Sequence, residues 1–487
     1  MKEDESKRGK QEIPRDNWNL AYIFLFIHGV GFLLPWNVFI NAREYFVDYK
    51  LNTTISRNSD YRIHFVSYLG ICAQLPNLIM AALNTFYQSK TSASNPSRRF
   101  KITMAIELMI LLATIVLIFV NTSEVPLVFF VLTMVSVILI NCCVGIHQTL
   151  IFGMAAYLPM QYSNAVVIGN NACGTLIAMV NIITKAVSLI WGRSERSMII
   201  STTSYFCTAI EIVIVCVITF FALQRLPFVR FYLDQTEGEK EPLTSAEDPQ
   251  LITGPTGDHV AEDKLTSEGD AVVSVATPMS ETEIETGQNS STLCCLPGGA
   301  RKTHCAAYWG RYAEAFKDCW PQCLNVWLIF VCTLSIFPAV QSSIKAVDPN
   351  FFISDTWFTD ITCFLFFNLF AMLGCVLSAF FTFPAPKFLC IPIVIRLIFF
   401  VPFFLLSNYV VEGERQMPLW ISSDYAYLFG SIIFALTNGY FASLAMMYAP
   451  RNSPPGRSGL AGLITSFFLI LGVFSGVYIS RGLLALL

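Results

Sequence analysis

The stretch GVGFLLPWNVFINA, residues 29–42, decides what kind of fold this chain adopts. It is apolar enough to lie in a lipid bilayer, yet it contains Pro35, Trp36 and Asn37 in succession. Pro35 cannot donate a backbone hydrogen bond, so we expect a helix to kink or loosen here. A membrane tolerates such a site where it is buried in protein or lines a cavity.

One face of this helix carries Leu33, Trp36 and Ile40, which follow the spacing of neighbouring turns. Trp36 lies near the middle of the apolar run between Leu20 and Arg43. We therefore interpret the face as the lining of an internal space in a membrane protein. The alternative is a kinked interfacial anchor with Trp36 at the level of the lipid headgroups.

The composition indicates a polytopic membrane protein. Hydrophobic residues make up 54% of the 487 residues and charged residues 13%, which is unusual for a soluble domain. The net charge of −3 comes without a basic cluster, so nothing points to nucleic acid. The 15 cysteines are scattered and lack metal-site spacing, so we interpret them as small apolar residues and expect no cofactor or metal.

Eleven runs are long enough to cross a bilayer of roughly 30 Å. We predict spans at 20–42, 63–87, 101–120, 126–157, 163–190, 198–223, 322–342, 356–382, 388–408, 424–447 and 459–484. The predicted domains are a cytosolic tail 1–18, a first bundle of six helices 19–223, an insert 224–321 and a second bundle of five helices 322–487. This 6+5 division predicts an all-α, major-facilitator-like arrangement of two bundles.

Orientation follows from lysine and arginine in the short loops and from one glycosylation acceptor. Asn52-Thr-Thr lies in the first loop, which we therefore place outside, with the N-terminus in the cytosol. Asn289-Ser-Ser in the insert then lies on the cytosolic side and stays unmodified. Asn121-Thr-Ser lies too close to the bilayer for dependable modification.

The insert is expected to be disordered and cytosolic. Residues 234–287 hold 14 acidic and two basic residues among Gly, Pro, Ser and Thr, a composition that cannot bury a core. The sequence EDPQLI, residues 247–252, fits an acidic dileucine address for sorting adaptors, and Thr277 before Pro278 is a candidate for a kinase. We predict residence in the plasma membrane, with endosomal or lysosomal membranes as the alternative.

Polar side chains inside the spans indicate where a solute passes, because lipid does not tolerate them. The second span carries Gln74 and Asn77 in a stripe that continues to Asn84. His147 and Gln148 end the fourth span, with His147 equally compatible with a structural role. For the stripe, hydrogen bonding between helices is the alternative to ligand binding.

Further polar residues lie in later spans. Gly169 and Gly174 permit close helix contact in the fifth span, and Phe364 and Asn368 share a face of the eighth. Arg396 lies too deep in the ninth span to reach the surface, so we expect it to pair with carbonyl groups or with one of the mid-span acids, Glu107 and Glu211.

No Walker A pattern and no hydrolase or metalloprotease motif occurs, so ATP-driven transport and an enzyme are not supported. A polytopic bundle with amide-rich stripes and no nucleophile favours the movement of a solute. The mid-span titratable residues are few, namely Glu107, Glu211, His28 and His147. We therefore expect downhill exchange without proton coupling.

Motifs along nearly the whole membrane part resemble those of the equilibrative nucleoside transporters, solute carrier family 29. They are LLPWN (33–37) with FINAREYF (39–46), Gln148 with FGMAAYLP (152–159), Gly169–Gly174, Ile183-Thr-Lys, IFPAV (336–340), FN (367–368), RLIFFVPFFLLSNY (396–409, including Asn408), TNGYFASL (437–444) and Ala461-Gly462. Only the N-terminal tail and the insert lie outside the resemblance.

The resemblance implies eleven helices, a glycosylated first loop and facilitative nucleoside transport by alternating access. It implies that Leu33, Trp36 and Ile40 border the nucleobase and that Gln148 hydrogen-bonds it. A central site between the bundles would involve Phe364 and Asn368, while Pro35, Asn37, Gly169, Gly174, Arg396 and Asn408 would serve structure or gating.

The chain departs from the family in the eighth helix. Family members carry Asp and Arg in an FNxxDxxGR pattern near the ribose, whereas this chain reads FNLFAMLGC, with Ala371 and Cys375 at those positions. We predict that Gln74, Asn77 and Asn368 take over part of ribose recognition. Reliance on the ribose hydroxyls would then be weaker than in the family, and nucleobases or deoxynucleosides would be transported relatively better. The alternatives are a carrier of another solute, such as an organic cation, and a scaffold or sensor without transport.

Overall fold

The structure is a computed structural model that describes residues 14–87, 96–191, 195–238, 298–408 and 417–486. The chain divides into two units, Met1–Glu239 with Arg311–Leu487, and Lys240–Gly310. Everything discussed below lies in the first unit unless stated. The predicted disorder of the acidic insert, the dileucine address, Thr277 and Asn289 fall outside the described residues.

The described residues form long helices, which we number α1 to α11. Their bounds are α1 Leu20–Asn41, α2 Phe65–Phe86, α3 Pro96–Phe119, α4 Pro126–Ala155, α5 Met160–Trp191, α6 Glu195–Arg225, α7 Gly298–Ile336, α8 Asp355–Phe380, α9 Cys390–Leu405, α10 Asp424–Arg451 and α11 Pro455–Leu486. Shorter helices include Pro227–Gly238 and a π-helix Tyr45–Lys50. The eighth helix contains a π-helical stretch, Thr359–Leu365.

Ten of these helices are long and apolar enough to cross a membrane within the described ranges, and α9 is a shorter apolar helix. The predicted all-α membrane architecture is confirmed, and the ten spans together with α9 are consistent with the predicted eleven. We call α1–α6 the first bundle and α7–α11 the second bundle, and we call the end that carries the loop with Asn52 the outer end. Helix α1 is continuous through Pro35.

Within the predicted insert 224–321, the described residues form helix at both ends. Helix Pro227–Gly238 follows α6, and α7 begins at Gly298 instead of near 322. Hydropathy missed the start of α7 because the segment carries charged residues, which are good helix formers. Arg457 at the start of α11 pairs with Glu314, and it lies 3.1 Å from Asp318 on α7.

Glycines allow the helices of each bundle to approach backbone to backbone. A Cβ atom at Gly169 of α5 would collide with the carbonyl oxygen of Phe26 in α1. Likewise, a Cβ at Gly439 of α10 would collide with the carbonyl of Ala371 in α8. These crossings fix α1 against α5 and α8 against α10, as small residues do in membrane helix pairs.

Candidate functional site

The face of α1 predicted to line a space is partly accessible. Leu33, Trp36 and Ile40 are each partly exposed and pack against the main apolar core. Of the residues between them, Leu34, Pro35, Val38 and Phe39 are buried, whereas Asn37 is partly exposed. The helix therefore leaves this one stripe open over its outer half while its other faces are packed.

Contacts lead from this face to the second bundle. Asn37 donates to the carbonyl of Leu33 at 3.0 Å, and its Nδ2 lies 3.9 Å from the Cys173 sulfur of α5. The next residue, Gly174, has room only for hydrogen, because a Cβ there would collide with the Asn368 side chain of α8. The structure thus brings the predicted residues of α1, α5 and α8 into one continuous region between the bundles.

Cys375 of α8 faces an amide of α5 that lies within the Gly169–Gly174 motif and was not among the predicted site residues. Asn171 of α5 donates from Nδ2 to the carbonyl of Val167 at 3.0 Å and to the Cys375 sulfur at 3.3 Å. The thiol lies 3.4 Å from the carbonyl of Gly439, to which it donates. Because a carbonyl only accepts, the Asn171 nitrogen must face Val167, and the Asn171 Oδ1 then makes no hydrogen bond to a described residue.

Ala371 and Cys375 do not line an open space. Both are 0% exposed, since α8 and α10 cross closely at Gly439. An Asp and an Arg at these positions would need volume that this crossing does not provide. The small side chains of Ala371 and Cys375 therefore fit the close crossing of α8 on α10.

Some residues of the polar stripe of α2 are packed against other helices, and others are accessible. Asn84 is buried and bonds Thr149 at 2.5 Å and Arg99 at 2.5 Å, so it links α2, α3 and α4. Asn77 lies at the α2–α4 crossing, where its Oδ1 is buried against Gly145 and has no hydrogen-bond partner among the described residues. Gln74 is partly exposed. Of the three, Gln74 has the most freedom to meet a solute.

The fourth helix presents Gln148 beside a histidine pair. Gln148 is 5% exposed, and its amide makes no hydrogen bond to a described residue. His147 Nε2 and His28 Nδ1 are 3.0 Å apart, and both rings pack edge-to-face on Phe100. The histidines thus form part of the packed interior of the first bundle, whereas the Gln148 amide is left for another partner.

In α8, Phe364 lies in the π-helical stretch, and its ring contacts Phe337 edge-to-face at 6.1 Å between centroids. Its carbonyl accepts a hydrogen bond of 2.9 Å from Asn368 Nδ2. Phe364 and Asn368 are both partly exposed. They extend the accessible region from α5 toward α7.

Arg396 and Asn408 lie away from this region. Arg396 is 3% exposed and donates to Thr333 at 2.9 Å, to Thr437 at 3.2 Å and to the carbonyls of Ile329 and Phe434 at 3.3 and 3.2 Å. It therefore pairs with carbonyl and hydroxyl oxygens of α7 and α10, and none of these partners is an acid. Asn408 donates to the carbonyl of Lys345 at 3.0 Å and fixes an outer loop.

At the outer end, an ion pair joins the two bundles. Lys185 Nζ of α5 lies 2.5 Å from the carboxylate of Asp360 in α8 and donates to the carbonyl of Thr356 at 2.6 Å. The ammonium also lies 5.3 Å from the centre of the Trp357 ring. Sequence reasoning quoted Lys185 only within a motif, although a lysine within a span was itself a signal.

At the other end lies a cavity of about 750 Å³, within the range of small-molecule sites. The connection between α4 and α5 lines it, together with the inner ends of α10 and α11. The lining residues are Ala156, Tyr157, Leu158, Pro159, Met160, Ser163, Tyr232, Met447, Pro450, Arg451, Ser453, Pro455 and Ser458. Part of the FGMAAYLP motif thus borders this inner cavity.

Comparison with known proteins assigns the family. The nucleoside transporter family profile matches residues 134–483. The chain belongs to the nucleoside transporter family. Equilibrative nucleoside transporter 1 of Rattus norvegicus is 30% identical over 97% of this chain and 98% of its own length. The human protein of the same name is 29% identical over 96% of this chain and 97% of its own.

The fold agrees with that of a solved transporter. The major facilitator superfamily proton:xylose symporter XylE, bound to 6-bromo-6-deoxy-D-glucose, superposes with a TM-score of 0.52 over 95% of this chain and 87% of its own. At 12% identity this likeness concerns the fold alone. It confirms the predicted major-facilitator-like arrangement. Membership of the nucleoside transporter family confirms the prediction that the chain is a transporter and not an enzyme.

Proposed function

We propose that this chain is a facilitative carrier that moves nucleosides across the membrane by alternating access of its two bundles. The observation that carries the proposal is the partly exposed face of α1 formed by Leu33, Trp36 and Ile40, beside Asn37, whose amide lies 3.9 Å from Cys173 of α5. This face offers a flat aromatic ring and apolar walls beside amides, which suits a nucleobase attached to a polar sugar.

At the base end, Trp36 presents the ring on which a base stacks, with Leu33 and Ile40 beside it. Gln148 supplies one donor and one acceptor to the base edge, since its amide makes no hydrogen bond to a described residue. Both groups lie in the first bundle, so the base is held mainly by that bundle.

At the sugar end, the unpartnered Oδ1 of Asn171 accepts a hydrogen bond from a ribose hydroxyl. The Cys375 thiol is the positioning group, because it holds the Asn171 nitrogen at 3.3 Å and thereby directs the oxygen away from α8. Asn368 and Gln74 are the remaining accessible amides near the path. Nucleobases, which lack the sugar, would bind without this contact and hence more weakly.

Alternating access follows from the contacts at the two ends. The Lys185–Asp360 pair closes the outer end between the bundles, while the cavity of about 750 Å³ occupies the inner end. A solute entering from outside requires this ion pair to separate. Because the mid-span titratable residues are few, namely Glu107, Glu211, His28 and His147, we expect the two conformations to exchange without proton coupling, as in downhill transport.

The test is uptake of radiolabelled uridine and adenosine by cells that lack their own nucleoside carriers. We expect saturable uptake that equilibrates and does not accumulate, with no change when a pH difference is imposed. Uptake of an organic cation instead, or no transport of either solute at normal surface expression, would contradict the proposal. Accumulation driven by a proton gradient would contradict its facilitative part.

We also infer that the protein resides in the plasma membrane as a glycoprotein and that its insert binds sorting adaptors or is modified by kinases. The Asn52-Thr-Thr acceptor supports the glycoprotein, and the address at residues 247–252 with the acidic composition of 234–287 supports binding of adaptors or kinases. Deleting 234–287 is expected to change location or abundance and to leave substrate affinity nearly unchanged. Reduced affinity at equal surface expression would contradict this division of roles.

A further inference from the structure

One side of α6 carries polar residues where the helix has no neighbour in the described chain. Ser204, Cys207, Thr208 and Glu211 are all exposed. The opposite side is buried against the first bundle through Phe206, Ala209, Val213, Cys216 and Phe220. At 100° per residue, Glu211 points almost directly away from these buried residues. We call the four exposed residues the α6 polar stripe.

The stripe lies at the depth of the lipid tails. The membrane span of α6 is Met198–Arg225, and Glu211 is near its midpoint. With a rise of 1.5 Å per residue, its backbone is about 20 Å along the helix from either end. A carboxyl group facing hydrocarbon at this depth is strongly unfavourable and is found in membrane proteins facing another polar group.

The groups of the stripe have unused hydrogen-bonding capacity. Ser204 donates to the carbonyl of Ile200 at 2.9 Å and keeps only its acceptor positions. Thr208 and Glu211 make no hydrogen bond to a described residue. One hydroxyl donor and one carboxyl acceptor, one helical turn apart, are therefore both left for a partner outside this chain.

We propose that the α6 polar stripe is a self-association surface, at which α6 of one copy packs against α6 of a second copy. Copies in one membrane share their orientation, so a two-fold axis along the membrane normal places the two stripes at equal depth. The Thr208 hydroxyl of each copy then donates to the Glu211 carboxyl of the other. Ser204, Cys207 and Thr208 are small, which lets the two backbones approach closely.

A helix of a different protein carrying a basic side chain is the competing occupant. The second copy is favoured because the stripe contains both the donor and the acceptor that its twin requires, at the same depth. Lipid alone would leave Glu211 without a partner in hydrocarbon. The inference is independent of the transported solute, because the stripe lies on the side of α6 that faces away from the bundle.

Cys207 gives a direct test, since it is exposed within the stripe. We expect copper-phenanthroline to cross-link the full-length protein in native membranes into a dimer, and Cys207→Ser to abolish the product. As a matched control, Met109→Cys in the Cys207→Ser background places a thiol on the exposed side of α3, where Met109 is 62% exposed. No cross-link is expected from this variant.

The second measurement does not depend on a disulfide. Subunit counting by single-molecule photobleaching should show two copies per spot for the wild type. Glu211→Leu and Thr208→Val should each weaken dimerisation by about tenfold or more, because each substitution removes both symmetry-related interhelical hydrogen bonds. Single copies for the wild type, dimers unaffected by Glu211→Leu, or cross-linking of Cys207 only to a different protein would each overturn the proposal.

Discussion

Lys185 and Asp360 form a 2.5 Å ion pair that joins α5 of the first bundle to α8 of the second at the outer end. The pair is partly accessible, with side-chain exposures of 35% and 27%, so its contribution is modest. Lys185 also donates to the Thr356 carbonyl and lies over the Trp357 ring. A carrier that works by alternating access must break this group of contacts whenever it opens outward.

The first prediction is that Asp360→Asn favours outward opening. Loss of the carboxylate removes the charge that holds Lys185, and we expect labelling of an introduced Thr359→Cys by an impermeant thiol reagent to accelerate about two- to fivefold. The charge-reversed double variant Lys185→Asp/Asp360→Lys should restore the slower rate. Equal labelling rates for wild type and Asp360→Asn would show that the pair does not control opening.

The second prediction concerns the base. Trp36→Ala should weaken the apparent affinity for adenosine and uridine about tenfold or more, because stacking on an aromatic ring contributes roughly 1–3 kcal/mol. Trp36→Phe should retain much of the affinity, because phenylalanine keeps an aromatic ring. Trp320→Ala, at a tryptophan of α7 that is 50% exposed, is the matched control and should behave as wild type. Normal affinity for Trp36→Ala would exclude this wall of the site.

The third prediction concerns the buried guanidinium of α9. Arg396 satisfies oxygens on α7 and α10, and its guanidinium lies 4.4 Å from the centre of the Phe434 ring. Lysine has a compact ammonium and cannot donate to all of the oxygens that the planar guanidinium reaches. Arg396→Lys should therefore destabilise the second bundle by about 2 kcal/mol. We expect a melting temperature lower by about 5 °C in detergent.

Arg225→Lys is the control for this change, since Arg225 is exposed at the inner end of α6. Its melting temperature should stay within about one degree of wild type. The substrate affinity of Arg396→Lys should also be retained, because Arg396 lies outside the candidate site. A selective loss of affinity without loss of stability would assign Arg396 to binding instead.

The fourth prediction concerns topology. Asn52 is exposed in the loop at the outer end. We expect Asn52→Gln to abolish the mobility shift caused by removal of N-linked glycan, and Asn289→Gln to have no effect. A shift lost with Asn289→Gln and retained with Asn52→Gln would mean that the chain has the opposite orientation.

Hydropathy was sufficient for most of the fold, because a span of about 20 apolar residues is a strong local signal. It failed at α7, where Arg311, Glu314, Lys317 and Asp318 continue the helix beyond the apolar run. The α1 face was predictable because it follows from spacing within one helix. It is this face, Leu33, Trp36 and Ile40, that the structure leaves partly open.

Contacts between distant helices were beyond the sequence. Nothing local to Asn171 indicates that its amide meets Cys375, 204 residues away, or that Lys185 meets Asp360. The same holds for Asn84, whose position on a polar stripe suggested a solute contact. The structure shows it bonded to Arg99 and Thr149. Whether an amide side chain within a span is packed against other helices or remains accessible thus depends on the tertiary structure, which local sequence does not reveal.

The last prediction concerns the sugar. If the Oδ1 of Asn171 accepts a hydrogen bond from a ribose hydroxyl, Asn171→Leu should lower the apparent affinity for adenosine about five- to tenfold. This corresponds to one lost hydrogen bond of about 1 kcal/mol or slightly more. The affinity for adenine, which has no sugar, should not change. The measurement is inhibition of uridine uptake by adenosine, deoxyadenosine and adenine, normalised to surface expression.

Two further variants separate this role from packing. Cys375→Ala removes the thiol that orients Asn171 and should lower the affinity for adenosine, but less than Asn171→Leu does. Gln74→Leu tests the amide of α2 in the same series. Ala371→Asp/Cys375→Arg should lower stability, because both positions are 0% exposed against α10. If Asn171→Leu lowers the affinities for adenosine and adenine equally, Asn171 does not bind the sugar. Selective loss of adenosine in Gln74→Leu instead would place the ribose contact on α2.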